Sequence, residues 1–205
     1  MTPNIPNIVP GPRDFAAYLH KIRYFILAIA ALMAFSFAIG SAFALTMPDQ
    51  AQQIMNLIAG QFDGFEDKDS FGLMVSLFLH NALICALMAI LGIALGFITL
   101  LLVFDNGLMI GLIGTMAAGR IGLPIALAAI LPHGIIEIPA MMLSSAIGLY
   151  LGYCILVRLF GRRIGLTKEI LESAKMFVAM VLPMLLVAAF VESYVTTALV
   201  YYLTG

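Results

Sequence analysis

At 205 residues, 63% hydrophobic and only 10% charged, the chain is far from a soluble domain, which is about 45–50% apolar and about 25% charged. It reads as an integral membrane protein. A net charge of −1 leaves no basic field for nucleic acid, and two cysteines, Cys85 and Cys154, set in apolar runs, make neither a disulfide framework nor a metal finger.

The N-terminal stretch MTPNIPNIVPGPRD is polar and Pro-rich and reads as a disordered tail. The first apolar run, 24–47, exceeds the roughly 7–15 residues of a signal-peptide core and is read as an uncleaved span. Loop 48–70 carries five acids and one lysine. Residues 71–104 form one apolar run, longer than the roughly 20 residues a bilayer requires. It must tilt, kink near Gly92 and Gly96, or extend. Asp105-Asn106-Gly107 is expected to interrupt it. A short apolar piece, 107–119, ends in GRIGLP. The next run, 125–157, is expected to break at Pro132-His133-Gly134. Residues 173–203 complete the set, with Pro183 as a kink.

Trp is absent, so any interfacial belt is built from Tyr and Phe. Lys and Arg set the orientation. Arg13, Lys21 and Arg23 precede the first span, and Arg158, Arg162, Arg163, Lys168 and Lys175 surround the last connection. These regions are expected to be cytoplasmic. Five spans satisfy the pattern, with the N-terminus inside, loop 48–70 outside, loop 158–172 inside and the C-terminus outside. The expected organisation is a tail with an interfacial helix over 1–23 and a single transmembrane domain over 24–205. Two stretches have one apolar face: Phe15, Leu19, Ile22 and Ile26, and Ala51, Ile54, Met55, Ile58 and Phe62. Each either lies flat on the membrane or caps the bundle.

Ionisable side chains cost roughly 2.5–3.5 kcal/mol at the centre of a spanning helix on insertion scales. Here they are Asp105, Arg120, His133, Glu137 and Glu192, in the company of His80, Asn81 and Asn106. At helical spacing His133, Glu137, Ala140, Ser144, Gly148 and Gly152 form one stripe, polar at its start and small along its length. Small residues let another helix come close, so Glu137 is expected to point into a seam between helices. Asn81, Cys85, Gly92 and Gly96 make a similar face. The expectation is that Asn81, Asn106, His133, Glu137 and Glu192 converge. Three readings compete: a hydrogen-bonded structural lock, a divalent-cation site such as zinc built on His133, Glu137 and Glu192, and a proton or solute pathway. Intramembrane hydrolysis lacks support, because no HExxH motif is present and Ser144 has no base on its own helix. The protein is expected not to be an enzyme.

The segments FLHNALICALMAILG (78–92), NGLMIG (106–111), LPHGIIEIPAMMLSSAIGLYLG (131–152) and AAFVESYVT (188–196) together resemble the stage II sporulation protein M family. That family's polar motif positions fall on Asn81, Asn106, His133, Glu137 and Glu192. The resemblance implies a helical membrane protein with about five spans. In endospore formers, the named member looks like the membrane anchor of a complex with peptidoglycan-degrading partners; members also occur far from sporulating bacteria, archaea included. Any cell-wall chemistry would belong to a partner. The expectation is therefore an all-α polytopic bundle, a scaffold or anchor, with an ion or solute transporter as the alternative. Small faces at Gly92/Gly96, Gly107/Gly111 and Gly148/Gly152 allow close contacts within one protomer or across a homodimer or larger complex.

Overall fold

The computed structural model describes residues 10–62, 69–92 and 96–204, with side chains omitted over 58–62. The chain forms α1 (Pro12–Thr46), α2 (Pro48–Phe62), α3 (Ser70–Leu91), α4 (Phe97–Ile121), α5 (Leu123–Leu159) and α6 (Leu166–Thr204). All except α2 are long and apolar enough to cross a membrane. Helix is what a bilayer demands, because it satisfies every backbone polar group internally. The expected polar tail over 1–9 lies outside the described residues, as does the 63–68 part of the expected loop.

The starts and stops are local. Asp14 accepts the Gly11 N–H at 2.8 Å and Pro12 opens α1, a position where proline's missing donor costs nothing. Asp69 caps α3 by accepting the Gly72 N–H at 3.0 Å. Between α3 and α4, the Gly96 N–H donates to the Gly92 carbonyl at 2.7 Å. Gly96 has φ +77°, a conformation side-chain-bearing residues rarely adopt. Thr99 Oγ1 then donates to the Met88 carbonyl at 2.7 Å, pairing α3 and α4 antiparallel.

The break therefore falls at Gly92–Gly96 and not near 105–107. Asp105, Asn106 and Gly107 all lie inside α4. Asn106 is accommodated there because its Nδ2 donates to the Leu102 carbonyl, one turn back, at 2.8 Å. The break expected at 132–134 is also missing. Pro132 and Pro139 both sit inside the continuous α5, and each removes only one backbone donor. The segment read as an interfacial helix before residue 24 is the beginning of α1, with Tyr18 and Ile22 fully enclosed. In α2, Ala51, Ile54 and Met55 pack on Ala44, Leu112, Ile113 and Met116, so this helix caps one end of the α1–α4 pair. The Ile58 and Phe62 side chains lie outside the description.

Close packing holds the bundle. A Cβ built at Gly107 would sit 2.0 Å from Ser36 Oγ, and one at Gly111 would sit 2.1 Å from the Phe37 carbonyl oxygen. A Cβ at Gly92 would lie 2.2 Å from the Gly148 backbone, and one at Gly148 2.2 Å from the Met88 carbonyl. The glycine faces are thus spent within one chain, α1 on α4 and α3 on α5, and α5 is the enclosed axis. At the Lys21 end, the Lys21 ammonium pairs with Glu169 and, at 3.0 Å, with Glu172. Tyr150 donates to Glu169 at 2.6 Å, and Tyr18 and Ser173 share a hydrogen bond of 2.7 Å. These contacts tie α1, α5 and α6 together.

Candidate functional site

His133 and Glu137 are four residues apart on α5, which places them one above the other on one face. Below them the stripe continues through Ala140, Ser144, Gly148 and Gly152, all buried. Ser144 Oγ donates to the Cys85 carbonyl of α3 at 2.5 Å, so the face of Glu137 is a seam between helices. Pro132 cannot bond to the Ala128 carbonyl, nor Pro139 to the Ile135 carbonyl. The turns carrying His133 and Glu137 are therefore bracketed by two released backbone acceptors.

The third member comes from α6. This helix widens by one residue per turn at Phe177–Val181 and again at Val191–Thr196. The first widening precedes Pro183, whose ring cannot sit against the Ala179 carbonyl in a regular α-turn. The second contains Glu192. Here Ser193 Oγ donates to the Ala189 carbonyl at 2.8 Å, and Thr197 Oγ1 donates to the Glu192 carbonyl at 3.1 Å. Wide turns of this kind recur at functional sites. This one sets Glu192 and Thr196 against α5: one ligand atom each of His133, Glu137 and Glu192 lie within 4.8 Å of one another. His133 Nδ1 lies 3.4 Å from Thr196 Oγ1. All three charged-type residues are half-buried.

Asn81 and Asn106 share a cavity with Glu137. Lined also by His80, Ile84 and Met141, the cavity is about 90 Å³, polar and roomy enough for water. The five residues expected to converge are thus brought into two groups that share Glu137. His80, left out of that set, lines the cavity as well; its position one residue before Asn81 gave no periodic signal toward the same face. Arg120 stands apart, exposed at the end of α4 and bonded to Gln52. Asp105 is exposed on α4 and joins neither group. A larger groove of about 220 Å³, between α3, α5 and α6, is lined by residues such as Ala86, Ile147 and Phe177 and by no ionisable group, so it offers no chemistry.

Two carboxylates this close in a low-dielectric setting repel each other, and either a shared proton or a cation between them relieves the repulsion. One imidazole nitrogen and two carboxylate oxygens are a donor set suited to zinc and other first-row divalent ions.

The sequence pattern of a family described as stage II sporulation protein M matches residues 28–197, a stretch that includes the whole cluster. An uncharacterized protein of Methanocaldococcus jannaschii is similar, at 31% identity over 130 residues that cover 62% of this chain and 73% of that protein. No solved structure matches the chain. With five helices long and apolar enough to cross a membrane and this match over most of its length, the chain belongs to the stage II sporulation protein M family.

Proposed function

We propose that this protein is a non-enzymatic membrane scaffold, an anchor for envelope-remodelling partners, whose His133–Glu137–Glu192 cluster holds a divalent cation and pins α6 to α5. The observation that carries it is the convergence of three ligand atoms within 4.8 Å from two helices. A cation there would balance two half-buried carboxylates and make a permanent cross-brace at a place where hydrophobic association gives helices little preference for each other over lipid. The anchor role is supported by family membership. It is also supported by where the buried hydroxyls are spent: Ser144, Ser145 and Ser193 donate to the carbonyls of Cys85, Met141 and Ala189 and are not poised as nucleophiles. The basic residues at the Lys21 and Arg158 ends favour the cytoplasm for that side.

The test is metal content by mass spectrometry on detergent-purified protein, wild type beside the His133→Ala, Glu137→Gln double variant. The expected result is near-stoichiometric divalent metal in the wild type and its loss in the variant. Wild-type protein without metal, reconstituted with zinc, manganese and iron in turn and still binding none, would remove the cation from the proposal.

The second reading is an ion or solute transporter. The cavity beside Glu137 favours it, since a carrier needs water at its site. Cation or proton flux in proteoliposomes that vanishes in a folded Glu137→Gln variant would replace the scaffold with this reading.

A further inference from the structure

The connection between α5 and α6 gathers positive charge. α5 ends in a closure that needs a left-handed residue: the Gly161 N–H donates to the Arg158 carbonyl at 3.1 Å and the Arg162 N–H to the Val157 carbonyl at 3.2 Å, with Gly161 at φ +86°. The chain thereby folds back on the last turn of α5. Arg158, Arg162 and Arg163 line one open pocket of about 310 Å³ with Gly161 and Ile164. Arg158 Nη1 also donates to the Ile164 carbonyl at 3.5 Å, and all three arginines are exposed. No acid lines the pocket, and the nearby carboxylates of α6, Glu169 and Glu172, are taken by Lys21. Three guanidiniums around one pocket repel each other. An anion relieves the repulsion, and the planar fork of arginine matches a phosphate.

Two further features say where that phosphate comes from. Leu159 and Phe160, between the arginines in the chain, are 73% and 85% exposed, large apolar side chains beside cations, as at a membrane–water interface. The apolar groove between α3, α5 and α6 is lined by Ile147 and Leu151, and Arg158 follows Leu151 by seven residues, on the same face of α5. Ile90 and Val178, also on the groove's lining, are 59% and 60% exposed, so the groove opens toward lipid. From Leu151 to Arg158 is about 10 Å along the helix. A headgroup layer of about 5–8 Å lies between hydrocarbon and water, and the long stem of arginine spans the remainder. We infer that the α5–α6 connection binds the phosphate of an anionic phospholipid, with one acyl chain laid in the groove between α3, α5 and α6. Charge complementarity selects this occupant: basic pockets at the cytoplasmic ends of spanning helices take anionic headgroups. The site is independent of the metal cluster, since Arg158 is about 32 Å along α5 from Glu137.

The experiment is native mass spectrometry of the full chain in detergent, titrated with phosphatidylglycerol and, separately, with phosphatidylcholine of the same acyl chains. The wild type should bind phosphatidylglycerol at least about tenfold more tightly than the zwitterionic lipid. Arg158→Gln, Arg162→Gln should lose that preference. Arg13→Gln, Lys175→Gln, which removes the same charge elsewhere, should keep it. Ala174→Phe, at an exposed position on the groove's lining, should weaken binding of both lipids and leave the preference between them. A wild type without preference would overturn the inference and leave the arginines to an acidic protein partner. Equal loss in the two charge variants would overturn it in favour of general attraction to the basic end. Displacement of the lipid by an equal concentration of glycerophosphoglycerol, the same headgroup without chains, would overturn it in favour of a soluble phosphate compound. Should Ala174→Phe fail to fold, that chainless competitor decides whether the acyl chain contributes.

Discussion

Glu137 is the residue on which both halves of the site turn. It lines a polar cavity and also lies beside His133 and Glu192. Replacing it by Gln keeps the shape and removes a charged ligand. The expected outcome is a fall in bound divalent metal greater than the roughly 10–100-fold that loss of an outer-shell partner costs, together with a lower thermal midpoint, measured on the same preparation by mass spectrometry and scanning fluorimetry. Metal content equal to wild type in Glu137→Gln would sink the assignment of this residue as a ligand. Ser144 lies two turns below Glu137 and donates across the seam. Interhelical hydrogen bonds in membranes average about 0.6 kcal/mol, so Ser144→Ala is expected to cost about that much in denaturant unfolding, without change in metal content. A metal loss in Ser144→Ala would mean that the seam, and not the ligand set, governs the site.

Among the helices, the decisive contacts are backbone against backbone. Gly148 and Gly114 make a matched pair for testing this. A methyl at Gly148 would meet the Met88 carbonyl at 2.2 Å, whereas one at Gly114 would meet only the tip of Ile130 at 3.7 Å. Gly148→Ala must push α3 off α5, and overpacking of this kind costs about 1–3 kcal/mol. Gly114→Ala gains the roughly 1 kcal/mol of helix propensity that separates alanine from glycine. Unfolding in mixed micelles should therefore move in opposite directions for the two variants. A Gly148→Ala protein as stable as wild type would show that the α3–α5 approach is looser than drawn. The widened turn at Val191–Thr196 works on the same scale: it has no proline to explain it, and its position at Glu192 ties the backbone irregularity to the site.

For the molecule as a whole, α5 is the axis and α1, α3, α4 and α6 are laid around it, with one brace of ions and tyrosines at the Lys21 end and the polar cluster further along. If the cluster is a metal brace, stripping the metal should loosen the whole bundle. Chelation with EDTA is expected to lower the thermal midpoint of the wild type by several degrees and to leave the His133→Ala, Glu137→Gln double variant where it already stands. A wild type whose midpoint is unmoved by complete metal removal would leave the cluster without a bracing role. The scaffold and transporter readings also part at this scale, since only the transporter requires water to reach Glu137 from both sides in turn.

Hydropathy and composition determined that the chain is a helical membrane protein with five helices long and apolar enough to cross, because long apolar runs leave no other way to satisfy the backbone in lipid. The helical stripe through His133, Glu137, Ser144 and Gly148 was equally legible, since 3.6-residue periodicity is a local property. The place of the chain reversal was legible only as one of three alternatives, a kink near Gly92 and Gly96 in place of a tilt or an extension beyond the bilayer. Local rules gave Asp-Asn-Gly and Pro-His-Gly as breaks, but Asn106 satisfied itself within α4 and the prolines were absorbed in α5, while Gly92 and Gly96 turned the chain. Whether a glycine is a hinge or a packing surface depends on what lies opposite, as Gly148 opposite Met88 shows. That Glu192 meets the His133–Glu137 pair was expected from the cost of burying each alone, but tertiary structure alone showed the means, a widened turn with no signature in the sequence. It decided as well that His80 joins the cavity and that Asp105 is left facing outward, because these are matters of which face a helix turns to its neighbours, and only packing sets that.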